Sequence, residues 1–272
     1  MHTPQDAEVT ARVETATQTI REAAALALSW FGRLATLEVE TKAGAQDVVS
    51  IADREVEQLV RARLSAAFPQ DALLGEEFGL SGGSSGYTWV IDPIDGTSSF
   101  IHGSRAWCVA IALVRDKTTL AGLILDPNAD ELFSAIAGRG ATLNGATISV
   151  DLATDLQHGL TSVGANGRVP PERVAVFIRR LLEAGGMFVR NGSGALSLAH
   201  VACGRLAAYY EPHMNTWDCL AAQCLIREAG GWANDVMADG DLLRGAKVLG
   251  CAPQLRDALV TLVEATDAEA GA

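Results

Sequence analysis

Cysteine is scarce and scattered in this chain. The five copies, Cys108, Cys203, Cys219, Cys224 and Cys251, form no Cys-x-x-Cys pair. That excludes the common zinc-ribbon and dithiol spacings and argues against a disulfide frame, so reduced core thiols are expected. Long hydrophobic runs are also missing. The longest apolar stretch, around AAALALSWFG, falls well short of the roughly 20 residues that span a bilayer. The opening MHTPQDAEVTARVETATQTI is acidic and has no hydrophobic h-region, so no signal peptide is expected. Basic residues are in deficit: 21 Lys and Arg against 33 Asp and Glu give a net charge of −12. Such a balance argues against general affinity for nucleic acid or anionic membrane. The histidines, His2, His102, His158, His200 and His213, place no two ligands on one helix face. No internal repeat or low-complexity tract stands out. A soluble, cytoplasmic protein is expected.

What is present suffices for a large core. The chain has 272 residues, 49% of them hydrophobic, enough for one large domain or two modest ones. Val9, Val13, Ala16, Ile20, Ala24, Ala27, Phe31 and Leu34 recur at three- and four-residue intervals, which predicts a long amphipathic helix. A second helix is expected from Ser50, where Ser50 and Asp53 resemble a capping box, to Pro69. DALLGEEFG reads as a short strand entering a loop. YTWVI, AWCVAIALVR, LAGLILDP and ELFSAIAG read as strands, the last three as an antiparallel meander. GRGATLNGATISV adds turns and one further strand.

From about residue 151 helices and strands alternate. Helices are expected at 171–184, 195–203, 216–229 and 253–266, with strands near GMFVR, LAAYY, GWANDV and AKVLGC. We therefore expect an α/β chain with an N-terminal α+β domain over 1–150 and a C-terminal α/β domain over 151–272.

Acidic residues gather where these elements end or begin. Glu76 and Glu77 follow one strand, Asp92 and Asp95 end another in WVIDPIDGTSSF, and Asp218 opens a helix in NTWDCLAAQ. Hard oxygen donors of this kind suit Mg²⁺, and Pro93 stiffens the turn between Asp92 and Asp95. Gly96 and Thr97 lead into SSFIHG, where backbone N–H groups at a helix start could cradle a phosphate. Each feature has a plainer reading taken alone: a turn-forming Asp pair, a helix-start Asp complementing the macrodipole, a solvated Glu pair. A metal would explain how so acidic a chain binds phosphate.

Taken together, GEE at 75–77, WVIDPIDGTSSF at 89–100 and WDCLAAQCLIREAGG at 217–231 resemble the inositol monophosphatase family, in order and over nearly the whole chain. DVVSIADREVE at 47–57, GRGATLNG at 138–145 and GSGALSLAHVACGRLAAYYE at 192–211 support the resemblance. It implies a layered α-β-α-β-α sandwich, Mg²⁺-dependent and lithium-sensitive phosphatase activity, and commonly a homodimer. It further implies that Glu76, Asp92 and the Ile94 carbonyl hold a first Mg²⁺ and that Asp92, Asp95 and Asp218 hold a second, with a third, weaker ion near Glu76. Gly96 and Thr97 match the phosphate cradle. Thr97, paired with Asp47 and alongside Glu76, matches the group that orients and deprotonates the attacking water. Ser50, Ser99 and Ala207 stand where the family often has Thr, Asn and Asp.

For the substrate, Glu211 aligns with a glutamate that reads inositol hydroxyls, and Ser193, Gly194 and Ala195 match a segment lining the sugar pocket. Relatives with this core hydrolyse inositol monophosphates, fructose bisphosphate, histidinol phosphate or 3′-phosphoadenosine nucleotides. SSF after Asp-Gly-Thr does not resemble the nucleotide branch. The resemblance favours inositol monophosphate, with histidinol phosphate as the alternative. A reading of a different class is a partner protein of transcription and ribosome-assembly machinery, for which no basic docking surface is marked.

Overall fold

The computed structural model describes residues 4–37, 39–44, 47–238 and 241–271, the side chains of 4–5 and 41–49 excepted. The expected first helix, α1 (Pro4–Phe31), buries Val9, Val13, Ala16, Ile20, Ala23 and Ala27 on one face. A two-stranded antiparallel ribbon follows, β1 (Val39–Gly44) and β2 (Asp47–Ser50), which hydrophobic periodicity did not signal. Helix α2 (Ile51–Ala67) starts at the expected Ser50–Asp53 capping box and packs with α1.

The next strands are β3 (Ala72–Gly75), β4 (Gly79–Ser81) and β5 (Tyr87–Asp95), then the short helix α3 (Thr97–Ile101). They continue as β6 (Cys108–Arg115), β7 (Thr118–Asp126), β8 (Glu131–Ile136), β9 (Ala141–Leu143) and β10 (Ala146–Thr147). GRGATLNGATISV thus supplies two short strands in place of one. The eight-stranded sheet has the order β10-β9-β8-β7-β6-β5-β3-β4 and includes the expected β6–β8 meander. Its pairs are antiparallel except β3 with β5. Both faces of its centre are apolar: Trp89, Ile91, Val109 and Ile111 point to the α1–α2 side, while Val90, Ala110 and Ala112 point away. Covered on both sides, β5 and β6 read as continuous hydrophobic runs.

The second half comprises β11 (Leu160–Val163), α4 (Pro171–Glu183), β12 (Met187–Val189), α5 (Gly194–Ala202) and β13 (Ala208–Met214). It ends with α6 (Thr216–Glu228), β14 (Trp232–Ala233), β15 (Ala246–Cys251) and α7 (Arg256–Ala270). Five strands form a mixed sheet, β12-β11-β13-β15-β14. Helices α5 and α6 lie between the two large sheets. The approach is close: a Cβ on Gly122 of β7 would sit 2.2 Å from the Ala221 carbonyl oxygen of α6. Helices α4 and α7 pack together on the outer side of the second sheet. The layers run α-β-α-β-α, as the resemblance implied.

Residue 150 falls in the connection between β10 and β11. We propose the boundary there as a change of layer, because a single core cluster runs from Val90 and Ala110 through Leu225 to Val248. Among the described residues, no helix is long and apolar enough to cross a membrane. Four of the cysteines are buried, Cys203 is half-buried, and all five are free.

Candidate active site

Strand alternation would send residues three apart to opposite faces. At the end of β5 the register slips: Asp92 pairs with Ala110, but Asp95 pairs with Cys108, so one strand carries an extra residue. Pro93 sits inside this irregularity, where a missing N–H costs the ladder nothing. The bulge turns both carboxylates to one side. Asp92 is held by the Ile94 N–H, which donates to its Oδ1 at 3.0 Å.

Two other segments converge on the same place. Asp218 lies in the first turn of α6, where its Oδ2 accepts the Asn215 N–H at 3.0 Å in a capping box. Glu76 occupies the turn between β3 and β4. Ligand oxygens of Glu76, Asp92 and Asp218 all lie within 4.8 Å of one another.

Beside them, the Thr97 hydroxyl reaches Asp53 Oδ1 at 3.0 Å and the Ile94 carbonyl at 3.1 Å; it donates to one at a time. The side chain of Asp47, the expected partner of Thr97, lies outside the described residues; among those described, the carboxylate that Thr97 meets is Asp53. The Ser-x-x-Asp pattern had marked Asp53 as a cap, and it is one: its Oδ2 accepts from Ser50 N–H at 2.8 Å and Ser50 Oγ–H at 2.6 Å. A carboxylate has a second oxygen, and that one serves Thr97. Gly96, between Asp95 and Thr97, has φ of 95°, and a Cβ there would meet the Ala106 carbonyl at 3.0 Å.

Asp95 connects this cluster to the second half of the chain. Its Oδ2 accepts the Ala195 N–H at 2.7 Å and the Ser193 hydroxyl, with the Cys108 thiol at 3.9 Å. Beyond Asp95 and Asp218 opens a cleft lined also by Ser193, Gly194 and Glu211. Glu211 is only 8% exposed. Its Oε1 accepts from Asn166 Nδ2 at 2.9 Å and its Oε2 from the Tyr209 hydroxyl. Gly164 makes room for it, since a Cβ there would lie 2.0 Å from Glu211 Oε2. Asn166, Arg168 and Arg190 also line the cleft. No local pattern in the sequence marked them.

The electrostatics are those of crowded anions. Burial pushes Asp92 and Asp218 well above the usual carboxylate range, and repulsion from Glu76 and Asp95 adds to it. Burial carries Asp95 up to about 7, against the lowering effect of the Ser193 and Ala195 hydrogen bonds. Glu211 is raised by burial and held back by its Tyr209 and Asn166 bonds and by the charges of Arg190 and Arg168. Among the described residues, no Lys or Arg forms an ion pair with Asp92, Asp95 or Asp218. Three carboxylate oxygens from three chain segments, crowded together, form a donor set that a hard cation fits.

A family model described as the inositol monophosphatase family matches residues 8–268. The chain belongs to that family. An inositol-1-monophosphatase of Rhizobium meliloti is 35% identical over 80% of this chain and 83% of its own. A Nus factor SuhB of Xylella fastidiosa is 39% identical over 79% of this chain and 78% of its own. Among solved structures, the extragenic suppressor protein suhB of Bartonella henselae superposes with a TM-score of 0.85 at 28% identity, covering 94% of this chain and 98% of that one. A Thermotoga maritima IMPase gives a TM-score of 0.84 at 26% identity, over 95% and 98%. Family membership supports a phosphatase, and the SuhB names leave room for another role.

Proposed function

We propose that this inositol monophosphatase family member is a Mg²⁺-dependent phosphomonoesterase acting on a small polyol phosphate, inositol monophosphate first. The observation that carries the reading is the convergence of Glu76, Asp92 and Asp218 beside the Glu211 cleft. Glu76, Asp92 and the Ile94 carbonyl would hold one Mg²⁺, and Asp92, Asp95 and Asp218 a second, with a third, weaker ion near Glu76. Bound there, the ions supply charge neutralisation at the phosphoryl oxygens and a strong nucleophile at neutral pH.

The chain's own residues do the rest. With its hydrogen directed to Asp53 or the Ile94 carbonyl, Thr97 Oγ1 keeps a lone pair to orient an attacking water, whose proton Glu76 takes. The Gly96 and Thr97 N–H groups face the phosphate. Glu211 can only accept when ionised, which suits it to the hydroxyls of a polyol, and Asn166 and Tyr209 fix its orientation. Ser193, Gly194 and Ala195 form the adjoining wall, where a Cβ on Gly194 would crowd Met214 Cε at 2.6 Å. An ammonium would also suit Glu211, so histidinol phosphate is the alternative substrate.

Phosphate release from inositol 1-phosphate, histidinol phosphate, fructose 1,6-bisphosphate and 3′-phosphoadenosine 5′-phosphate, with Mg²⁺ and with chelator, tests the reading. Release from inositol 1-phosphate that the chelator abolishes is expected. A folded, Mg²⁺-loaded chain silent on all four would overturn it.

A second reading draws on the relatives named Nus factor SuhB. In it the chain partners the transcription and ribosome-assembly machinery, through protein rather than nucleic acid given its net charge of −12. An in-cell role that survives loss of Asp95 would favour it. We further propose a homodimeric, cytoplasmic and lithium-sensitive enzyme.

A further inference from the structure

The turn that carries Glu76 is gripped from outside the site. Glu57, on α2, is completely buried. Its Oε2 accepts the Glu77 N–H at 2.7 Å and its Oε1 the Phe78 N–H at 3.3 Å. Arg61, one helical turn further on, donates through Nε to the same Oε1 at 2.6 Å. Its Nη2 donates to the Gly79 carbonyl, and its Nη1 reaches Ser81 Oγ at 3.4 Å. One ion pair therefore holds the N–H groups of the turn and the carbonyl that closes it. The fit is close, since a Cβ on Gly75 would lie 2.0 Å from Glu57 Oε1.

A hairpin of this size does not need such a clasp. The turn spans residues 76–78, and Gly79, at φ of 64°, supplies the left-handed residue that closes a short hairpin on its own. A buried carboxylate is costly unless paired and fully hydrogen-bonded, as Glu57 is here. What the clasp adds is a fixed position for the residue at the head of the turn. Glu76 has a ligand oxygen within 4.8 Å of those of Asp92 and Asp218, so the position of the turn decides whether the three can share one cation.

We propose that Glu57, locked by Arg61, is a positioning residue that holds Glu76 ready for the cation; this rests on the reading of Glu76 as a metal ligand. Helix α2 then serves the site twice on one face. Asp53 meets Thr97, and Glu57, four residues on, meets the Glu76 turn.

Mn²⁺ binding to the metal-free full chain, measured by titration calorimetry, tests this without relying on turnover. The variants are Glu57→Gln, Arg61→Met and Asp71→Asn. Asp71 is an equally buried acid, paired with Arg12 and Trp89, and it controls for general loss of stability. Glu57→Gln puts an amide where an acceptor is required. It is expected to weaken Mn²⁺ binding about tenfold or more and to speed amide exchange at Glu77 and Phe78. Arg61→Met is expected to do the same to a smaller degree, and it is read in place of Glu57→Gln should that chain not fold. Asp71→Asn is expected to lower the melting temperature while leaving Mn²⁺ affinity unchanged. Wild-type affinity in the Glu57 and Arg61 variants, or an equal loss in Asp71→Asn, would overturn the proposal alone. A wild-type chain that takes up no Mn²⁺ would overturn the reading of Glu76, and the proposal with it.

Discussion

The Thr97 hydroxyl lies 3.0 Å from Asp53 Oδ1, and the other oxygen of that carboxylate caps the helix on which Asp53 stands. The two duties can be separated. Asp53→Asn keeps an oxygen for the cap but lacks the negative charge that draws the Thr97 proton. A kcat lower by about 10²–10⁴ is expected, with little change in melting temperature. Asp53→Ala should lose the same activity and about 1 kcal/mol of stability besides. Steady-state kinetics beside thermal melts distinguish these, and a kcat near wild type in Asp53→Asn would end the relay role.

Asp95→Asn tests the junction between the halves. It removes a charge at constant volume, and its amide would confront the Ala195 N–H, a donor. Turnover is expected to vanish while circular dichroism is unchanged. Mg²⁺-dependent activity retained by this variant would remove Asp95 from the ligand set.

Glu211→Ala should weaken discrimination among polyol phosphates and largely spare release from small generic esters. Gly164→Ala should mimic it without touching the carboxylate, because the new methyl would occupy the space of Glu211 Oε2. It should also cost about 1–3 kcal/mol through overpacking. Ratios of kcat/KM across the panel are the measurement, and equal losses on every ester would exclude Glu211 as a reader of hydroxyls.

The raised carboxylates make a pH prediction for the metal-free chain. Asp92, Asp95 and Asp218 are pushed up by burial, Asp95 to about 7, so the folded chain keeps protons that the unfolded chain releases. Their contribution is fully present below the ordinary carboxylate range near pH 4. It is lost as pH rises through the folded values. In chelator, the melting temperature should fall on the order of 5–10 °C between pH 5 and 8. Mg²⁺, which binds the ionised forms, should cancel the fall. A melting temperature that climbs over this range in chelator would contradict the assignment.

What the sequence discloses depends on distance along the chain. The period of α1, the Ser50–Asp53 box and the β6–β8 meander rest on neighbours a few residues apart, and each stands in the structure. GWANDV shrinks to the two residues of β14, because the Asn234 side chain takes over bonds that the ladder would make. It donates to the Lys247 carbonyl at 2.8 Å and accepts the Leu249 N–H at 2.8 Å. Thr97 meets Asp53 across 44 residues, and Glu211 meets Asn166 across 45. No local spacing encodes such meetings; the order of strands in the sheets does. The ribbon β1–β2 and the strand β11 are short, and their polar residues blur any period.

The candidate cation donors come from positions 76, 92 and 218, and the carboxylate beside them is held by an N–H 100 residues further on. Closing loops of that length is among the slower events for a chain, and helices and local hairpins form long before it. Refolding from denaturant should therefore regain helical signal first and phosphatase activity last, so a half-folded chain gathers no cation and attacks no ester.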